Sequence, residues 1–192
     1  MKSPYIGKSK PLNELKQIES PLIEACISGE RDAQNRLYQK YKAKMFGVCL
    51  RYARTQAEAE DMLLEGFFNI FKDLHQFRMQ GSLEGWMRKV MVNNAIAHIR
   101  KYRKKELQSF GLENDTITNS TEPAVWRKDN LDSIIQLIRA LPLGYQTIFN
   151  LYAVEGYSHK EIAKMLKIAE STSRSQYTRA RQILQQKLTD NQ

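Results

Sequence analysis

The chain has 192 residues, 42% hydrophobic and 27% charged, with 9 Gly, 5 Pro, 2 Cys and a formal net charge of +9. That length holds one large domain or two small ones. No stretch approaches the roughly 20 apolar residues that span a bilayer, and residues 1–20 contain no apolar secretory core. The expectation is a cytoplasmic protein with no membrane insertion, whose Cys26 and Cys49 are reduced core thiols. Leu, Ala, Lys, Arg, Glu and Gln are common and no period-2 run is sustained, which predicts an all-α chain.

The placement of charge divides the chain. Residues 1–105 carry 20 Lys/Arg against 11 Asp/Glu, and residues 106–192 carry 10 of each. Between the two basic blocks lie Glu106, Glu113, Asp115, Glu122 and Asp129, opposed only by Arg127 and Lys128. Two separated basic regions point to two contacts with a polyanion.

Residues 1–21 hold Pro4, Pro11 and Pro21 and read as a flexible arm. A short helix from Leu22 to Gly29 follows. Leu37, Tyr41, Met45, Val48 and Tyr52 step as one face of the next helix. Thr55 with Glu58 makes a capping box for a helix with two stripes. Ala59, Leu63, Phe67, Ile70 and Leu74 form a core stripe, and Asp61, Glu65, Phe68 and Lys72 face the other way. After a polar loop over residues 76–85, Ser82 caps a long helix. Leu83, Trp86, Val90, Asn93 or Asn94, and Ala97 follow its helical steps, with Trp86 read as core. Its end, Arg100-Lys101-Tyr102-Arg103-Lys104-Lys105, is strongly basic.

Residues 106–129, rich in Gly, Asn, Asp, Thr and Ser, cannot build a core and read as a flexible acidic linker. Leu131, Ile134, Ile135 and Ile138 open a second helical domain, residues 130–188. Pro142 stops that helix, and Leu143 to Val154 forms the next, with Gly156 at its end. Ser158 and Glu161 form a capping box, Ala163 allows a close crossing, and Ile168 is the buried residue of a turn. Ser171 then caps a last helix whose inner face is Tyr177, Ala180, Ile183 or Leu184, and Leu188. No acid occurs between Ser171 and Leu188. This is a helix-turn-helix, whose second helix enters the major groove. Ser171, Thr172, Arg174, Ser175, Gln176, Thr178, Arg179 and Arg181 are its candidate DNA-contacting residues. Arg suits guanine and Gln suits adenine.

Together these residues resemble a bacterial RNA polymerase sigma factor of the sigma-70 family, extracytoplasmic-function (ECF) subfamily, over residues 22–188. The resemblance implies region 2 over residues 22–105, region 4 over 130–188, and a flexible linker between them. Ala59-Glu60-Asp61-Met62-Leu63-Leu64-Glu65-Gly66-Phe67 is similar to the helix that docks on core polymerase. Asp61, Glu65 and Phe68 are therefore expected to bind the enzyme, although Leu64 stands where Gln is usual. Gly81-Ser82-Leu83-Glu84-Gly85-Trp86-Met87 and Val92-Asn93-Asn94-Ala95 resemble the parts that read and melt the −10 element. The resemblance assigns Met79, Gln80, Ser82 and Asn93 to a flipped base. It assigns Arg88, Lys89, Arg100, Lys101 and Arg103 to phosphates. Ala97 stands where a polar residue is common. In the last helix, Ser171 replaces a common Gly, Ser173 a common Val and Gln176 a common basic residue.

The partners this implies are core RNA polymerase, promoter double-stranded DNA, its melted single strand and an anti-sigma factor. The linker is expected to thread a polymerase channel. His75, His98 and His159 lack metal-ligand spacing, and no P-loop, H-E-x-x-H or nucleophile elbow occurs. The expectation is therefore no catalytic residue, no metal and no cofactor. The competing reading is a free-standing helix-turn-helix regulator that dimerises through its first domain. A heptad seam or ligand pocket would favour it, and neither is visible in the sequence.

Overall fold

The computed structural model describes the backbone of residues 12–102 and 130–189, and side chains over 20–101 and 135–189. Among the described residues every regular element is helical. The linker, residues 106–129, lies outside them.

The first helix, α1, is Leu12–Ile27 and starts inside the expected arm. Leu12, Leu15, Ile18 and Leu22 already step at helical intervals. Pro21 masked that pattern, because an interior proline removes one i→i−4 hydrogen bond and reads as a break. Ile23 and Cys26 are buried, and Gly29 turns the chain at φ +87°.

Helices α2 (Arg31–Leu50), α3 (Gln56–Asp73) and α4 (Leu83–Tyr102) pack against one another in the N-terminal half. The expected stripes of α2 and α3 are buried along their whole length. Thr55 accepts from the Glu58 N–H at 3.1 Å, and Glu58 accepts in return from the Arg54 N–H at 2.8 Å. The reciprocal bond thus comes from one residue earlier than a capping box requires.

In α4 the buried face differs from the expected one. Leu83, Met87, Met91, Asn94, Ala95, His98 and Ile99 are inside, whereas Asn93 and Ala97 are exposed and Trp86 and Val90 are half-buried. Trp86 lies against Phe77, ring centroids 5.7 Å apart. Asn94 is held by polar bonds, accepting from Asn69 at 2.9 Å and donating to the Met62 carbonyl at 3.0 Å. His98 lies 3.4 Å from Glu65.

The C-terminal half comprises α5 (Asn130–Arg139), α6 (Leu143–Phe149), α7 (His159–Leu166) and α8 (Glu170–Thr189). A π-turn, Asn150–Val154, prolongs α6. Helix α8 begins at Glu170, one residue before the expected Ser171 cap. Leu188 is exposed, not internal.

The two halves touch at the end of α2. The Arg51 carbonyl, an unpaired acceptor of that helix terminus, receives Gln146 Nε2 at 2.9 Å and Asn150 Nδ2 at 2.6 Å. Arg139 donates to the Arg54 carbonyl at 2.6 Å. Glu155 accepts from Arg51 at 3.0 Å and from Arg88 at 2.5 and 3.0 Å. Asn93 and Arg174 remain on the outside.

Gly66 marks the close approach of α3 to α4. A Cβ there would lie 2.2 Å from Met91 Sδ and 2.7 Å from its Cε. Met91 is fully buried and has little room to withdraw. Gly66→Val is expected to cost about 1–3 kcal/mol through overpacking, read as a lower urea midpoint at unchanged slope.

Candidate nucleic-acid interface

Helix α7 is fixed at its start by a complete capping box. The Ser158 hydroxyl accepts from the Glu161 N–H, and Glu161 Oε2 accepts from the Ser158 N–H at 2.8 Å. The helix stops at Lys167, which adopts the left-handed conformation, and the Ile168 N–H returns to the Ala163 carbonyl at 3.1 Å. This left-handed residue turns the chain into α8, and half-buried Ile168 packs under the turn.

Helix α8 is oriented by a polar contact. His159 Nδ1 lies 2.9 Å from the buried Ser173 hydroxyl. The His159 ring stacks on Tyr152 at 4.2 Å, and Tyr152 lies 4.5 Å from Tyr177. The inner face of α8 is therefore Ser173, Gln176 and Ala180, with Tyr177 half-buried beside them. Gln176, expected to read adenine, is turned inward, and its Oε1 has no partner among the described residues. Its helical position puts it in register with Ser173 and Ala180, so it cannot reach a groove without α8 rotating.

The outer face keeps Ser171, Arg174, Ser175, Thr178, Arg179 and Arg181 exposed, with Thr172 half-buried. Arg174 is 65% exposed and pairs with Glu170 at 2.6 Å. Such a pair one turn apart on a surface contributes only a few tenths of a kcal/mol, so it yields readily to a better acceptor. Ser175 and Thr178 donate to the Thr172 and Arg174 carbonyls, both at 3.1 Å, and retain acceptor capacity.

In the N-terminal half, Met79 is half-buried with φ +57°, and Gly81 follows at φ +91°. This backbone turns Gln80 outward. Ser82 is exposed, and its Oγ accepts from the Gly85 N–H at 3.1 Å, so its own hydrogen is free to donate elsewhere. Lys89, Asn93 and Lys101 are exposed and Arg100 is half-buried. Arg88 is the exception, because Glu155 holds it. That hydrogen bond, outweighing desolvation, raises the Arg88 pKa. Arg103 lies outside the described residues.

On the far side of α3, Asp61, Leu64, Glu65 and Phe68 are exposed, Leu64 at 61% and Phe68 at 70%. Leu64, Glu65, Phe68, Asn69 and Asn94 line a shallow groove. Sequence reasoning treated Leu64 only as a departure, although its spacing from Phe68 is one helical turn. The pairing of Arg51 with Glu155 was not expected, because their separation leaves no local pattern.

Residues 37–105 match the family described as sigma-70 region 2, and residues 131–184 match sigma-70, region 4. The chain belongs to the sigma-70 family. Among its relatives is the RNA polymerase sigma-H factor of Pseudomonas aeruginosa, 26% identical over 180 residues, covering 88% of this chain and 93% of that one. The ECF RNA polymerase sigma factor SigW of Bacillus subtilis is 27% identical over 178 residues, covering 88% and 95%. The fold is shared with the sigma factor RpoE of Bartonella quintana, solved in complex with the anti-sigma factor NepR. There the TM-score is 0.50 and the identity 18%, over 94% of this chain and 99% of that one. As an ECF sigma factor the chain directs RNA polymerase to promoters, and the free-standing regulator is not favoured.

Burial lowers the pKa of His159 from the ordinary 6.5, with the positive charge of Arg174 adding to it. The folded state thus favours the neutral ring. Its contribution to stability is complete above about pH 6.5 and is lost as pH falls below that value, where the unfolded chain takes up the proton first. The full chain should melt at a lower temperature at about pH 5.5 than at about pH 7.5. In His159→Gln that acid-dependent difference should shrink, as read by thermal circular dichroism.

Proposed function

We propose that the sigma-factor activity is divided among three surfaces. The outer face of α8 reads the upstream −35 element. Arg174 is its principal base-reading residue, and Ser171, Thr172, Ser175, Thr178, Arg179 and Arg181 contact base or backbone. The loop before α4 and the open face of α4 bind the −10 element. Gln80 and Asn93 offer hydrogen bonds to an unstacked base, Met79 offers an apolar edge, and Ser82 offers one donor. Lys89, Arg100, Lys101 and Arg103 neutralise phosphates, so binding weakens as salt rises. Gln176 acts as a support of α8 and not as a reader.

The third surface is the ridge of α3. Leu64 and Phe68, flanked by Asp61 and Glu65, dock on core polymerase. A pair of large apolar side chains left open beside carboxylates fits a partner that is basic at its rim and apolar at its centre. The observation that carries this reading is that α3 buries one stripe and leaves this second stripe open.

The remaining assignments follow from this activity. The chain recruits an enzyme and has no catalytic residue of its own. It works in the cytoplasm, where its promoter lies, and among the described residues no helix is long and apolar enough to cross a membrane. An anti-sigma factor is the expected restraint, as in the Bartonella complex.

Run-off transcription with core polymerase and co-elution on a sizing column test this division. Leu64→Asp with Phe68→Asp should abolish co-elution and leave the fold intact by circular dichroism. Arg174→Ala should lower upstream-element binding about 5- to 100-fold, the range of one lost base contact, with co-elution unchanged. Loss of co-elution in Arg174→Ala would overturn the assignment of surfaces.

A further inference from the structure

The seam between the halves is not explained by promoter reading. The Glu155 side chain is only 4% exposed, yet it receives two arginines, Arg88 through both Nε and an Nη, and Arg51 through one Nη. Neutral groups at the same seam fare worse. Tyr52 Oη, Gln146 Oε1 and Asn150 Oδ1 are buried without a hydrogen-bond partner among the described residues. Buried polar groups left unpaired oppose closure, so the contact is held by its charges against a cost from its neutral atoms. An anion that offers the arginines an equal bond reverses that balance. Arginine forks donate to carboxylate and phosphate oxygens with the same geometry. Arg88 lies on α4, which also carries Lys89, Arg100 and Lys101.

We propose that Glu155 stands in for a DNA phosphate. In the free chain its carboxylate fills a two-arginine phosphate site made by Arg51 and Arg88. The C-terminal half is thereby folded against the N-terminal half until promoter backbone displaces it. The ligand class rests on the promoter-binding reading above, but the closure does not. Opening extends the basic strip of α4 to Arg51 and frees α8 to move away from α4, so one exchange of anions couples backbone binding to separation of the two DNA-reading modules.

The test uses the full chain with dyes at Asn35→Cys and Gln186→Cys, both exposed positions. The native thiols are buried, and burial pushes Cys49 up to about 12, so they do not compete for dye. Single-molecule energy transfer should report a closed form whose ratio to open falls on the order of 10-fold in Glu155→Gln. A mixed-sequence duplex of about 30 base pairs should then bind Glu155→Gln on the order of 10-fold more tightly, because DNA no longer displaces a carboxylate from the two arginines. Adding Arg51→Gln and Arg88→Gln should remove that gain and lower the log–log salt slope by about two, one per lost phosphate contact. Unchanged energy transfer in Glu155→Gln, or unchanged duplex affinity, overturns the proposal. Absence of a run-off transcript from the unsubstituted chain with core polymerase would instead remove the promoter reading, and the energy-transfer change would still establish closure.

Discussion

Helix α3 serves two neighbours at once, and that constraint organises the N-terminal half. Its stripe of Ala59, Met62, Leu63, Gly66, Phe67 and Ile70 is buried against α2 and α4. A helix can commit only about a third to a half of its circumference to one core. Once that stripe is fixed, the opposite stripe has no choice of direction. Leu64 and Phe68 are held outward by the packing of their neighbours, and Asn69 ties the same helix to Asn94 of α4. The ridge is rigid because the core behind it is.

This also explains which parts of the fold were legible in the sequence. In α2 and α3 the buried apolar residues recur at unbroken helical intervals, so periodicity found the inner stripe. In α4 it failed, because the buried face includes Asn94 and His98 while Ala97 is exposed and Trp86 and Val90 are only half-buried. Asn94 belongs inside only because Asn69 and the Met62 carbonyl meet it there, and both partners are distant in sequence. The inner face of α8 failed for the same reason. Ser173 is internal because His159 reaches it, and Gln176 follows one turn later. The helix-turn-helix itself was visible because its signals are local: a capping box, a turn hydrophobe and an acid-free last helix.

The seam could not be read in the sequence. Arg51 and Glu155 lie in different halves, and no local pattern pairs them. What brings them together is a helix end with an unpaired carbonyl and two amide side chains, Gln146 and Asn150, placed to satisfy it. Expecting two modules joined by a tether correctly identified the modules but contained no term for the contact between them. Asn93 and the outer face of α8 remain exposed despite that contact, whereas Arg88 is taken up by it.

The C-terminal half has a physical reason to lean on its neighbour. Domains of about 60 residues bury only about 60% of their chain surface and are correspondingly marginal. Here part of the interior is polar: Thr147, Asn150, His159, Ser173 and Gln176 share it with Leu143, Ile148, Leu151 and Ile162. Polar interiors specify orientation through directed bonds but contribute less transfer free energy than aliphatic ones. Such a domain gains from any surface that satisfies its remaining groups. Arg51, Arg54 and Arg88 supply one such surface in the free chain, and a polyanionic partner supplies another. Because Arg88 cannot bond Glu155 and a phosphate in full at the same moment, the stability of the closed form and the affinity for DNA draw on the same charges. Strengthening either weakens the other.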